Sequence, residues 1–265
     1  LSDGALAARL AELRAARRTA LIPYITAGYP GPGETTAFLR GAAAAGADVV
    51  ELGVPWSDPV ADGPTIQAST HAALQGGTTL ARTLELLAGS RTDLPVVVFT
   101  YLNPVLARGP ARFAADAKRA GASGLLVTDL PVGADDAVER ELRSAGLPLV
   151  RLVAPTTPAA RRRAIAERSE GFLYLIARLG VTGESGELSS MLGAQVASLR
   201  AVSDLPIAVG FGVSSPAQAS AVADVADGVV IGSAVVSRMA HGGAAEALAW
   251  LGTVRAALDG RRARA

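Results

Sequence analysis

Asp48-Val-Val-Glu-Leu-Gly-Val-Pro-Trp-Ser-Asp-Pro-Val-Ala-Asp-Gly-Pro64 opens as a short apolar run and breaks into a loop marked by proline and glycine. Such a run is short enough for a buried strand, and its loop leaves from the strand's C-terminal end. The same pattern recurs along the chain. Strands are predicted near Ala20–Ile25, Asp48–Leu52, Pro95–Thr100, Gly124–Thr128, Pro148–Val153, Phe172–Ile176, Pro206–Val209 and Gly228–Ile231. Alanine-rich segments of helical periodicity separate them, including Ala111–Ala120, Asp135–Ala145, Thr157–Ser169 and Pro216–Val225. Gly46, Gly121 and Gly146 stand just before three of the strands, where a glycine suits a helix C-cap and a tight return to a parallel strand. Eight strand–helix units in roughly 250 residues match a (β/α)₈ barrel. A doubly wound open sheet is the alternative, and the lack of an obvious switch point disfavours it. Leu6, Leu10 and Leu13 share one face of an extra helix before the first strand. With no low-complexity linker, residues 1–265 read as a single TIM-barrel domain.

Composition narrows the chemistry. Of 265 residues, 50% are hydrophobic and 18% charged, so a large core is expected and disorder is not. The formal net charge of +1 offers no footprint for nucleic acid or an anionic membrane. Absence of cysteine removes disulfides, thiolate nucleophiles and zinc-thiolate sites, and two histidines, His71 and His241, make a multi-histidine metal site improbable. No metal and no organic cofactor are expected. Pro23 interrupts the apolar stretch Ala20–Ala27, and the uncharged run Leu205–Ala223 carries Gly210, Gly212 and Pro216. Neither reads as a signal peptide or membrane span, and a cytoplasmic protein is expected.

In a barrel, chemistry belongs at the C-terminal ends of the strands. Glu51 sits there among apolar residues, where partial desolvation raises a carboxyl pKa and lets it hold and deliver a proton. Its structural alternative is a salt-bridged carboxylate. Asp58 and Asp62 follow on the loop beside Pro59 and Gly63, where an aspartate commonly just caps a turn, and position alone does not choose between them. Two acids on a strand and its loop supply a general acid and a general base. Lys118, the sole lysine, lies mid-helix beside Arg119 and reads as a solvated surface residue, which removes the lysine imine route.

The last three strands lead into glycine-rich loops, Leu179–Glu184, Val209–Val213 and Ile231–Ala234. Bare backbone amides and helix N-termini there suit a phosphate, and Ser233 adds a hydroxyl. Tyr24, Tyr101 and Tyr174 fall in or just after strands and Phe211 lies in the seventh βα loop, with core packing the default account of each.

Leu21-Ile-Pro-Tyr-Ile-Thr-Ala-Gly-Tyr-Pro30, the stretch Glu51–Gln67, Gly180-Val-Thr-Gly183 and Gly210-Phe-Gly-Val-Ser214 resemble the tryptophan synthase alpha chain family, in order, from about Leu6 to Arg238. The resemblance implies a (β/α)₈ barrel that cleaves indole-3-glycerol phosphate to indole and glyceraldehyde 3-phosphate. It implies Glu51 and Asp62 as catalytic carboxylates and Tyr174 as the active-site tyrosine. Gly183, Phe211, Gly212, Gly232 and Ser233 fall on the implied phosphate site. Trp56 stands where the family more usually has phenylalanine. The implied partner is a tryptophan synthase beta chain in an alpha₂beta₂ heterotetramer. Trp56 is expected to be exposed as an interface anchor. The acidic loop and Arg178–Ser190 are expected to be mobile until the beta chain orders them. A stand-alone lyase releasing free indole is the rival, followed by another sugar-phosphate barrel and by a subunit kept only to activate a beta chain.

Overall fold

The computed structural model describes residues 4–177, 185–210 and 212–260, with backbone alone for 185–190. Eight parallel strands close on themselves in chain order: β1 (Ala20–Thr26), β2 (Val50–Gly53), β3 (Val96–Thr100), β4 (Gly124–Val127), β5 (Leu149–Val153), β6 (Leu173–Ile176), β7 (Ile207–Gly210) and β8 (Gly228–Ile231). The closing seam aligns Ala20 with Gly228 and Ile22 with Val230. The open-sheet alternative is thereby excluded.

Alternation along the strands makes two cores. Side chains such as Leu21, Leu52, Val98 and Leu125 face outward and pack under the helices. Ile22, Val97, Leu126, Val150, Phe172 and Val230 face inward and fill the barrel. A parallel sheet covered on both faces needs this continuous apolarity, which is why the strand runs were visible in the sequence. The helix Ala5–Ala15 plugs the bottom of the barrel with buried Leu6, Leu10 and Leu13. Gly46, Gly121 and Gly146 take φ of 88°, 99° and 72°, the left-handed conformation in which a helix ends and turns back at little steric cost.

Asp48, expected to begin a strand, lies before β2 with no solvent exposure. It accepts from Arg9 at 2.6 Å, Arg18 at 2.9 Å and the amide of Leu21 at 2.9 Å. It ties the plug helix to the barrel, because a buried carboxylate is tolerable only when paired and hydrogen-bonded. Lys118 is exposed and donates to the carbonyl of Ala145 at 2.8 Å, far from the strand ends.

Candidate active site

At the C-terminal mouth of the barrel lies a cavity of about 690 Å³, counted with its opening, whose lining includes Tyr24, Glu51, Asp62, Tyr174, Gly212 and Ser233. Each comes from a strand or the loop after it, so the barrel brings together residues up to 209 positions apart. Gly232, Ile66 and Phe99 also line it.

Glu51 points inward on β2, in register with Tyr24 on β1 and Val97 on β3. It is 1% exposed, and its Oε1 has no hydrogen-bond partner. The salt-bridged alternative therefore does not apply. Burial pushes its pKa up to about 8, so the carboxyl holds its proton at neutral pH.

Asp62 lies on the loop after β2, half-buried at the cavity's edge. Burial raises its pKa to about 6, opposed by a hydrogen bond that Tyr101 Oη donates to Oδ2 at 3.0 Å. Asp58 is exposed and lines a separate outer groove. Tertiary structure thus separates two aspartates that position alone left equal. The two cavity carboxyls have their pKa values pushed apart, the arrangement that assigns different proton states to two acids.

Three tyrosines surround the acids. Tyr24 packs edge-on to Phe99 at 5.3 Å between ring centres, and Tyr174 lies on β6. Both hydroxyls are pushed up by burial, Tyr24 next by the charge of Asp62 and Tyr174 next by that of Glu51. Each ring lies over a glycine of the neighbouring strand: Gly53 beneath Tyr24 and Gly210 beneath Tyr174, where a Cβ would overlap the phenol. Tyr101, given no role beyond core packing from sequence, is buried and reaches Asp62. Its position after β3 was the only signal; the contact spans 39 residues.

Of the expected phosphate residues, Gly212, Gly232 and Ser233 line this cavity. Ser233 begins the helix Ser233–Gly260, and Ser215 caps the helix Pro216–Ala223 by accepting from the Gln218 amide at 3.2 Å. No lysine or arginine is among the described lining residues, so an anion there would rest on amides, hydroxyls and helix N-termini. Gly183 and Phe211 lie outside the described residues. So does the first half of the Arg178–Ser190 segment, up to residue 184; from Ser185 the backbone is helical. Trp56 is half-buried, contrary to the expectation of an exposed anchor, and Val60, 80% exposed, is the large apolar side chain this loop presents to solvent.

Fold and site define a (β/α)₈ barrel whose mouth cavity gathers two carboxyl groups and the start of the helix Ser233–Gly260, with no lysine or arginine among its described lining residues. The family model for the tryptophan synthase alpha chain matches residues 10–254. The chain is 47% identical to a tryptophan synthase alpha chain of Laribacter hongkongensis over 257 residues, 95% of this chain and 97% of that one. It is 48% identical to one of Picosynechococcus over 244 residues, 91% of this chain and 92% of that one. Tryptophan synthase subunit alpha from Legionella pneumophila superposes with a TM-score of 0.88 at 35% identity, covering 96% of this chain and 98% of that one. A chain of tryptophan synthase from M. tuberculosis gives 0.86 at 36%, with the same coverages. This chain belongs to the tryptophan synthase alpha chain family. Its activity is the lyase cleavage of indole-3-glycerol phosphate in tryptophan biosynthesis.

Proposed function

We propose that the chain works as a single barrel domain in which Glu51 moves the protons of the cleavage and Asp62 stabilises the charge that develops. The observation that carries this is the buried Glu51 carboxyl with an unpartnered oxygen in the cavity. Protonated Glu51 delivers its proton to indole C3, leaving a carboxylate and a cationic indolenine. Ionised Asp62 accepts the indole N–H and offsets that positive charge. The Glu51 carboxylate then withdraws the C3′ hydroxyl proton as the C3–C3′ bond breaks. The bonding pair returns to the ring, releasing indole and glyceraldehyde 3-phosphate, and Glu51 ends protonated as it began. Tyr174 packs beside these groups and shapes the indole pocket. The phosphate sits on Gly212, Gly232 and Ser233, together with Gly183 and Phe211.

The cycle requires Asp62 ionised and Glu51 protonated, which holds between about pH 6 and about pH 8. Indole release should therefore follow a bell in pH, with kcat/KM falling on the acid side as Asp62 protonates and on the alkaline side as Glu51 ionises. A rate flat from about pH 5 to 9 would overturn the assignment.

The family forms complexes with the beta chain, and we place this chain in an alpha₂beta₂ assembly in the cytoplasm. Exposed Val60 beside half-buried Trp56 supports the acidic loop as a contact surface. No helix among the described residues is long and apolar enough to cross a membrane. Saturating beta chain should raise kcat by shifting the chain toward its reactive state. Repeating the pH series with and without beta chain tests this, and a fast, unchanged rate would favour the stand-alone lyase.

Ser233→Asp tests the phosphate site. The side chain is exposed at a helix start, where an acid is well accommodated, so folding should be undisturbed. KM should rise by about tenfold or more, because the acid repels the substrate's phosphate and occupies the same N-terminal field. An unchanged KM would remove Ser233 from the site.

A further inference from the structure

We infer that Tyr101 is a positioning residue for the cleavage: its hydroxyl clamps the acidic loop so that the Asp62 carboxylate is held at the cavity. The inference rests on the proposed role of Asp62.

The Tyr101 hydroxyl accepts from the amide of Ala61 at 3.0 Å and donates to Asp62 Oδ2 at 3.0 Å. One oxygen thus grips two consecutive loop residues, one through backbone and one through side chain. Among the described residues, these are the hydrogen bonds that tie 55–63 to the barrel wall. The others made by this segment stay within it or run to the helix that follows, as from Asp62 to the Pro59 carbonyl and from Gln67 to the Asp62 carbonyl. Tyr101 is itself held rigidly. It is 2% exposed, and the next amide, Leu102, donates to Asp129 Oδ1 at 2.6 Å, fixing the end of β3 from beyond the end of β4.

The clamp has a direction. A donated hydrogen bond favours the ionised carboxylate and occupies Oδ2, so the other oxygen remains for a substrate N–H. An acid on a long loop would otherwise sample many orientations, and ordering it beforehand lowers the cost of reaching the reactive geometry. Tyr101 acts through Asp62 and is absent from the described cavity lining.

Tyr101→Phe keeps the ring and removes both bonds. Indole release by this variant is expected to fall in kcat by roughly 10- to 100-fold, the scale of a lost hydrogen bond to a charged group. KM should change much less, since the phosphate contacts are untouched. The acid limb of the pH profile should move to higher pH, because the ionised form of Asp62 loses its donor. A merely structural role would not move that limb. The Asp62 carboxyl signal, read by ¹³C NMR and assigned by its loss in Asp62→Asn, should titrate above its wild-type midpoint in Tyr101→Phe, a readout that survives loss of turnover. In the Asp62→Asn background, Tyr101→Phe should cost almost nothing further. If Asp62→Asn is crippled but Tyr101→Phe keeps kcat and the wild-type acid limb, the clamp is overturned and the role of Asp62 stands. If Tyr101→Phe costs as much with Asp62 already replaced, the clamp is likewise overturned. An Asp62→Asn variant with near-normal turnover overturns the reading beneath both.

Discussion

Glu51→Gln is expected to stop indole release while making the folded protein more stable in mild alkali. The amide fills the space of the carboxyl but neither delivers a proton nor takes one up, so the loss should be on the order of 10²–10⁴-fold or more. The stability change follows from linkage. In the folded chain Glu51 titrates near about 8 against an ordinary 4.5, so folding favours the protonated form. The wild-type stability this provides is fully present below the ordinary value and declines as pH rises toward the folded value, because the unfolded chain ionises freely and the buried group cannot. Glutamine has no proton to lose. The variant should therefore gain on the wild type from weakly acidic pH upward and level off above about pH 8, by a few kcal/mol at most. Thermal unfolding of both proteins across that range, alongside an indole assay, checks both halves. Near-normal turnover would overturn the catalytic role, and parallel stability curves would overturn the buried acid.

Gly53→Ala should cost both folding and catalysis. A Cβ at Gly53 would overlap the hydroxyl end of Tyr24, so the ring must shift, and Phe99 packs against it at 5.3 Å between centres. Overpacking of this kind costs about 1–3 kcal/mol. The ring's escape is into the cavity, beside Glu51, so kcat/KM should fall on the order of 10²-fold, as when reacting groups are displaced by about an ångström. Combining it with Tyr24→Leu should recover part of the lost stability, a coupling that denaturant unfolding of the four proteins in the cycle would measure. Additive losses would mean that the glycine matters for some reason other than the ring above it.

The sequence by itself determined the architecture. Alternating apolar strand residues meet solvent on neither face of a covered parallel barrel, so each strand is a local signal, and β4, β6 and β8 begin within a residue of where the pattern put them. Glycines after the helices were legible for the same local reason: left-handed backbone is cheap only there. Glu51 was legible because an acid at the end of an apolar strand has few places to point. Only the family resemblance separated Asp62 from Asp58; position alone did not, since both precede turn-forming residues and their difference is distance to a cavity built by other strands. Tertiary structure alone decided that Asp62 meets Tyr101 from 39 residues away, that Gly53 and Gly210 leave space for tyrosine rings, and that Glu51 Oε1 has no partner. Those are contacts between strand ends brought together by closure of the barrel, and desolvation and hydrogen bonding act on the distances that closure sets, which no local pattern encodes.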